Sequence, residues 1–289
     1  MKKVLIGFIA VMASLASCKK SGNAFETATS DTLTYEIKKF EKKSDNCVKE
    51  DSLCATVRFE YPFFKNEALD QQVQTDLVAI FQDSSDSTVV PAKKVEDLAE
   101  PFIKEYAQTL AEGKNYAEEA NEKNPGGFFV MPWIEEASLK VDRQTDTYLM
   151  LKANTNWFKG GAHPISMEYY FVYNRETLKR VKLEDLFEKG FDQKLLAIAE
   201  KQFRINEKLK TNEPLDDLHG YFFENAKFIL NDNFTLTPKG LKFLYNVYEI
   251  KAYAFGVTEL EIPYEDLKEI LKQVYRELKD EAKLAELDK

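Results

Sequence analysis

Cys47 and Cys54 stand seven positions apart, with the polar stretch Val48-Lys49-Glu50-Asp51-Ser52-Leu53 between them and no histidine nearby. The spacing is not C-x-x-C, which disfavours redox exchange or a metal site. In an exported chain such a pair reads as a disulfide, here closing the mouth of a hairpin, because strand-like alternation begins just past Cys54. The two histidines, His163 and His219, lie 56 residues apart with no H-x-x-x-H or H-x-H spacing. A zinc hydrolase generally needs ligands at short spacing, so a metal is not expected. No G-x-S-x-G elbow, P-loop or G-x-G-x-x-G is present, and no pair among the 49 acidic residues stands out. The chain is therefore expected to be non-catalytic and to use no cofactor.

The densest chemistry lies in Gly160-Gly161-Ala162-His163-Pro164. Two glycines permit positive φ and close backbone approach, and a histidine can donate or accept near neutral pH. One reading is a recognition loop comprising Trp157, Gly160, Gly161 and His163, flanked by Phe158, Tyr169 and Tyr170. The other is a tight β-connection whose histidine hydrogen-bonds a neighbouring carbonyl. His219 precedes Gly220 and is expected to end a helix.

The third cysteine, Cys18, follows Leu15-Ala16-Ser17, behind a charge-free run from Val4 and the basic pair Lys2-Lys3. This resembles the lipobox of bacterial lipoproteins. The implied processing removes residues 1–17 as a signal peptide and places a diacylglycerol, with further acylation, on Cys18. Residues 18–30 would then be the lipid anchor and a tether reaching roughly 40 Å when extended. The expected location is outside the cytoplasm, lipid-anchored to the bacterial envelope at the periplasmic or cell-surface side.

A net charge of −9 becomes about −11 once Lys2 and Lys3 are removed. That disfavours nucleic acid or anionic lipid as a default partner and would suit a basic protein. Apolar residues at 44% and aromatics at 13% indicate a packed globule. Leu33, Tyr35 and Ile37, then Val57, Phe59 and Tyr61, alternate as half-buried strands. Leu69, Val73, Leu77, Ile80 and Phe81 fall at helical spacing, as do Val95 to Leu110, where Pro101 should split or kink the helix. Strand-like segments cover residues 128–141, 147–157 and 165–173, with a turn at Asn174-Arg175-Glu176-Thr177. A helix is expected from Leu195 to Leu209. Residues 234–243, 248–253 and 258–262 again look like strands, so the aromatics Tyr245, Tyr248, Tyr253 and Phe255 would be mostly core. Pro263 should open a final amphipathic helix through Leu267, Ile270, Leu271, Val274 and Leu278. Strands cluster without regular βαβ alternation, which favours an α+β fold.

Several pieces come in a familiar order: the Gly-Gly-Ala-His loop, the Tyr169–Tyr173 strand with its turn, and Leu183-Glu184-Asp185-Leu186-Phe187. Asn233-Phe234-Thr235-Leu236-Thr237, Gly240-Leu241-Lys242-Phe243, Asn246-Val247-Tyr248-Glu249-Ile250, Gly256 and Ile262-Pro263-Tyr264 follow. Together they resemble the extracellular domain of the anti-sigma factor RsiV, shared with peptidoglycan deacetylases of the PdaC type. Pro164 departs from that pattern, which often has a further glycine. The resemblance covers roughly residues 150–275, with a companion subdomain before it. It implies antiparallel sheets packed with helices in two subdomains, 31–145 and 146–276, followed by a helical tail at 277–289. It also implies a binding module. The RsiV branch binds lysozyme and the PdaC branch carries a separate catalytic domain, so expected partners are a lysozyme-like protein or peptidoglycan. A cell-wall hydrolase and a structural envelope lipoprotein are the alternatives.

Overall fold

A computed structural model describes residues 33–47, 54–82, 90–119 and 131–272. The expected signal peptide, Cys18, the expected tether and the expected helical tail at 277–289 lie outside the described residues. Among the described residues, eight strands form two sheets. The larger has the order β1-β2-β3-β4-β5, made of Glu36–Lys43, Ala55–Phe63, Trp133–Gln144, Tyr148–Phe158 and Ile165–Asn174. The smaller is β6-β7-β8, made of Phe234–Leu236, Gly240–Tyr245 and Thr258–Pro263. The α+β expectation holds. One ladder, β2 with β3, is parallel rather than antiparallel, because α1 (Glu67–Phe81) and α2 (Ala99–Glu119) supply a crossover between them.

Asn66 caps α1 by accepting from Leu69 N at 3.2 Å, and the helix buries Leu69, Val73 and Leu77 against the sheet. Pro101 neither splits nor kinks α2. It falls in the first turn of a helix that begins at Ala99, where no intrahelical donor is lost. The Cys47–Cys54 disulfide, with Cα atoms 5.2 Å apart, joins the end of β1 to the start of β2. Leu33 precedes β1, and its backbone is clamped by the Gln144 amide: Leu33 N donates to Oε1 at 2.9 Å and Nε2 donates to Leu33 O at 3.1 Å. The β1 segment is more exposed than its alternation suggests, with Tyr35 and Ile37 at 41% and 46%, and it is the edge strand of its sheet.

Strands β4 and β5 serve two cores. Leu149, Leu151, Ala153, Phe171 and Tyr173 pack with the α1–α2 side. Tyr148, Met150 and Val172 pack with the short helix α3 (Leu183–Leu186), with α4 (Asp192–Asn206) and with the small sheet. Successive residues of a strand point to opposite faces, so the near-continuous apolar run of β4 reflects burial on both sides. The expected junction at 145/146 falls in the β3–β4 turn, and the ladder runs on through both strands.

Three expectations are corrected locally. α4 ends at Asn206 because Lys208 turns the chain at φ 58°, leaving Leu209 outside the helix with its N–H on Arg204 O at 2.8 Å. Among the described residues the helix after Pro263, α5, covers only Tyr264–Leu267, and the expected Val274 and Leu278 lie outside those residues. Beyond it the chain turns so that Leu271 bridges Phe187, and the amphipathic spacing there serves a core contact instead of a longer helix. Residues 248–253 form turns, not a strand.

Candidate functional site

The β4–β5 link holds Gly160 at φ 98° and Gly161 at φ 108°. A methyl group at either position would meet open space, so the glycines provide the turn conformation and not a close approach. His163 is exposed, and its Nδ1 lies 2.8 Å from Pro164 O, which is the neighbouring-carbonyl contact expected of a tight connection. The imidazole also leaves the loop. Its ring lies 4.4 Å from that of Tyr253, and Nε2 is 3.4 Å from the Tyr248 hydroxyl. Tyr248 and Tyr253 are 5.4 Å apart, closing a triangle of three rings. Trp157 does not join them: it pairs across the ladder with Glu135 and shares that residue's face, on the α2 side of the sheet.

Beside the three rings lies an open groove of about 540 Å³. Its floor is the sheet face turned away from α1 and α2. Strand register sets two polar rows across it. One runs Arg58, Glu136, Asn156, Ser166, and the other Glu60, Ser138, Asn154, Glu168. The second row places a hydroxyl and an amide at its middle and ion-paired glutamates at its ends, while the first runs from the Arg58–Glu136 ion pair to the amide of Asn156 and the hydroxyl of Ser166. Arg58 pairs with Glu136 at 2.6 Å, Lys39 with Glu60 at 2.8 Å and Lys152 with Glu168 at 2.7 Å. Burial works against the Lys152 charge, but the Glu168 hydrogen bond and nearby charges hold its pKa above the ordinary lysine value. The groove wall is built by Val247, Tyr253, Gly256 and Val257.

Two asparagines set this wall against the sheet. Asn246 accepts from Glu168 N at 2.8 Å and donates to Glu168 O at 3.0 Å. Asn233 accepts from Tyr170 N at 2.8 Å and donates to Glu168 O at 2.9 Å and Leu244 O at 3.1 Å. Between Asn246 and the wall, Tyr248 is held at φ 66°, a left-handed conformation costing a non-glycine residue about 1 kcal/mol. Tyr245 is core at 1% exposure, but Tyr248, Tyr253 and Phe255 are 50%, 38% and 65% exposed. These aromatics were expected in the core; turns around a left-handed residue lift them out.

His219 closes a short 3-10 turn, followed by Gly220 at φ 83°, with Nδ1 on Asp216 at 2.5 Å. That contact holds the Asp216 carboxyl below its ordinary range. Among the described residues no group of three or more histidine, cysteine or acidic side chains is placed to hold a metal, and no helix is long and apolar enough to cross a membrane.

Residues 184–265 match the family described as "Protein of unknown function (DUF3298)", and residues 48–166 match "Deacetylase PdaC". The chain thus carries the family signatures that its ordered motifs predict. The PdaC match lies mostly before the 150–275 stretch of the resemblance and overlaps it at 150–166, where it includes the Gly-Gly-Ala-His loop. No curated protein matches significantly. A crystal structure of a DUF3298 family member from Bacteroides fragilis superposes with a TM-score of 0.67 at 24% identity, covering 87% of this chain and 99% of that one. A DUF3298 family protein from Pseudomonas aeruginosa gives 0.60 at 22% identity, covering 85% and 97%. These likenesses show the fold.

Proposed function

We propose that the protein is a non-catalytic binding module, held at the bacterial envelope by a lipid on Cys18, that takes a neutral N-acetylated cell-wall glycan in the groove. The observation that carries this reading is the meeting of two polar rows with an exposed aromatic rim. Asn154, Asn156, Ser138 and Ser166 offer donors and acceptors to hydroxyl and acetamido groups. Tyr253, backed by His163, offers a ring face to the apolar side of a sugar. The groove carboxylates Glu60, Glu136 and Glu168 are each engaged by a cation, an arrangement suited to holding a ligand's polar groups. A family relation to a deacetylase is compatible with a ligand bearing acetyl groups.

Calorimetric titration with soluble N-acetylated cell-wall oligosaccharides, and sedimentation with insoluble peptidoglycan, test the reading. Binding weakened at least tenfold by Tyr253→Ala is the expected result, and no binding to either material overturns it. The net charge of −9 favours a second reading, a cationic lysozyme-like partner steered electrostatically. Binding to a lysozyme that falls sharply between low and high salt, without glycan binding, would select it.

A further inference from the structure

On the opposite face of the sheet, Glu135 is buried at 7% exposure, and its Oε1 has no hydrogen-bond partner. Its cross-strand neighbours are Val57 in β2 and Trp157 in β4, and Trp133 lies two residues along on the same face. Above it, α2 brings Phe102 and Tyr106 onto Trp133, with ring centroids 5.7 and 5.4 Å away. Lys159, the residue before Gly160, folds into this space. Its Nζ lies 2.6 Å from Glu105 of α2 and 5.2 Å from the centre of the Trp133 ring. One cation therefore stands between a half-exposed carboxylate on the helix and a buried one on the sheet. The other ionisable group facing Glu135 from α2 is Tyr106, whose hydroxyl is itself pushed up by burial. Arg58 and Glu136 project from the groove face and do not reach it.

We propose that Glu135, Lys159 and Glu105 form a proton-operated latch between helix α2 and the loop that carries His163. With Glu135 protonated, Lys159 stays on Glu105 and pins the loop to the helix. With Glu135 ionised, a buried carboxylate lacking a partner is unfavourable, so Lys159 is drawn to the sheet and its hold on α2 is released. Gly160 and Gly161, with open space around them, let the loop follow. The poise is near neutral: burial raises the Glu135 carboxyl to about 7, Lys159 works against that rise and Glu105 adds to it. The latch does not depend on what the groove binds.

Both tryptophans of the chain, Trp133 and Trp157, adjoin Glu135, so their fluorescence reports its ionisation. Titration of the purified protein from pH 5 to 9 should show one transition with a midpoint near 7. Glu135→Gln should abolish it, and Lys159→Met should move the midpoint upward. Hydrogen exchange in α2 and residues 158–164, corrected for intrinsic rates, should quicken between pH 6 and 8 in the parent and not in Glu135→Gln. A flat titration of the parent, a transition that survives Glu135→Gln or vanishes with His163→Ala, or exchange unchanged between pH 6 and 8 in the parent, overturns the latch. Should Glu135→Gln fail to fold, the direction of the Lys159→Met shift decides, and a downward or absent shift overturns it.

Discussion

Asn246 meets the backbone of Glu168 twice, accepting its N–H at 2.8 Å and donating to its carbonyl at 3.0 Å. One side-chain amide thereby does what a neighbouring strand would do for the outer edge of β5, and fixes the groove wall to the groove floor. Asn246 is 8% exposed, so Asn246→Ala would leave the Glu168 N–H without its partner, while Asn233 alone would still donate to the Glu168 carbonyl. We expect a loss of about 2–3 kcal/mol, seen as a lower denaturant midpoint at constant slope. An unchanged midpoint would refute the edge-pairing role.

The exposed tyrosines should separate binding from stability. Tyr248→Gly relieves the left-handed strain at φ 66°, by about 1 kcal/mol, and removes a ring that is half in solvent. The melting temperature should therefore hold or rise while glycan affinity falls, both measured on one preparation. A variant that melts early would show that the ring is structural.

Loss of the Cys47–Cys54 bridge, by Cys54→Ser together with Cys47→Ser, should cost about 2 kcal/mol, the amount expected for so short a closed loop. Thermal melts with and without reductant on the parent protein should bracket the same difference.

Glu135 also gives stability a pH dependence of definite sign. A carboxyl whose folded pKa is raised, here from 4.5 to about 7, holds its proton longer in the folded state. Its contribution is complete below the unfolded value and is lost as pH rises through about 7, a change of about 3 kcal/mol at most. Unfolding free energy measured from pH 5 to 8 should fall in the parent and stay flatter in Glu135→Gln.

On the proposed lipid anchor, Cys18→Ala expressed as the full-length chain should move the protein out of the membrane fraction and abolish fatty-acid labelling. Retention of label would refute lipidation at that residue.

Much of the fold was legible because its signals are local. Apolar spacing at Leu69, Val73 and Leu77 marks a helix wherever it packs, and the Cys47–Cys54 spacing needs only a hairpin. The groove was not legible, because it is a product of register. Asn154, Asn156 and Ser166 are ordinary surface polars until β3, β4 and β5 align them. Tyr248 and Tyr253 were misplaced for a related reason: alternation suggested a strand, while a single left-handed residue made a turn. His163 lies in the chemically densest stretch of the sequence, but the ring nearest its imidazole lies 90 residues further on, at Tyr253. Pro101 was misread because its effect depends on where the helix starts, and that start is set by the preceding 3-10 turn.

The amide of Gln144 treats Leu33 as that of Asn246 treats Glu168, with one bond in each direction. Because Leu33 lies ahead of β1, any pull transmitted along the chain from its N-terminal side meets this pair of bonds before it reaches the β1–β2 ladder. The clamp is thus a mechanical fuse. It would yield first, leaving the sheet that floors the groove intact.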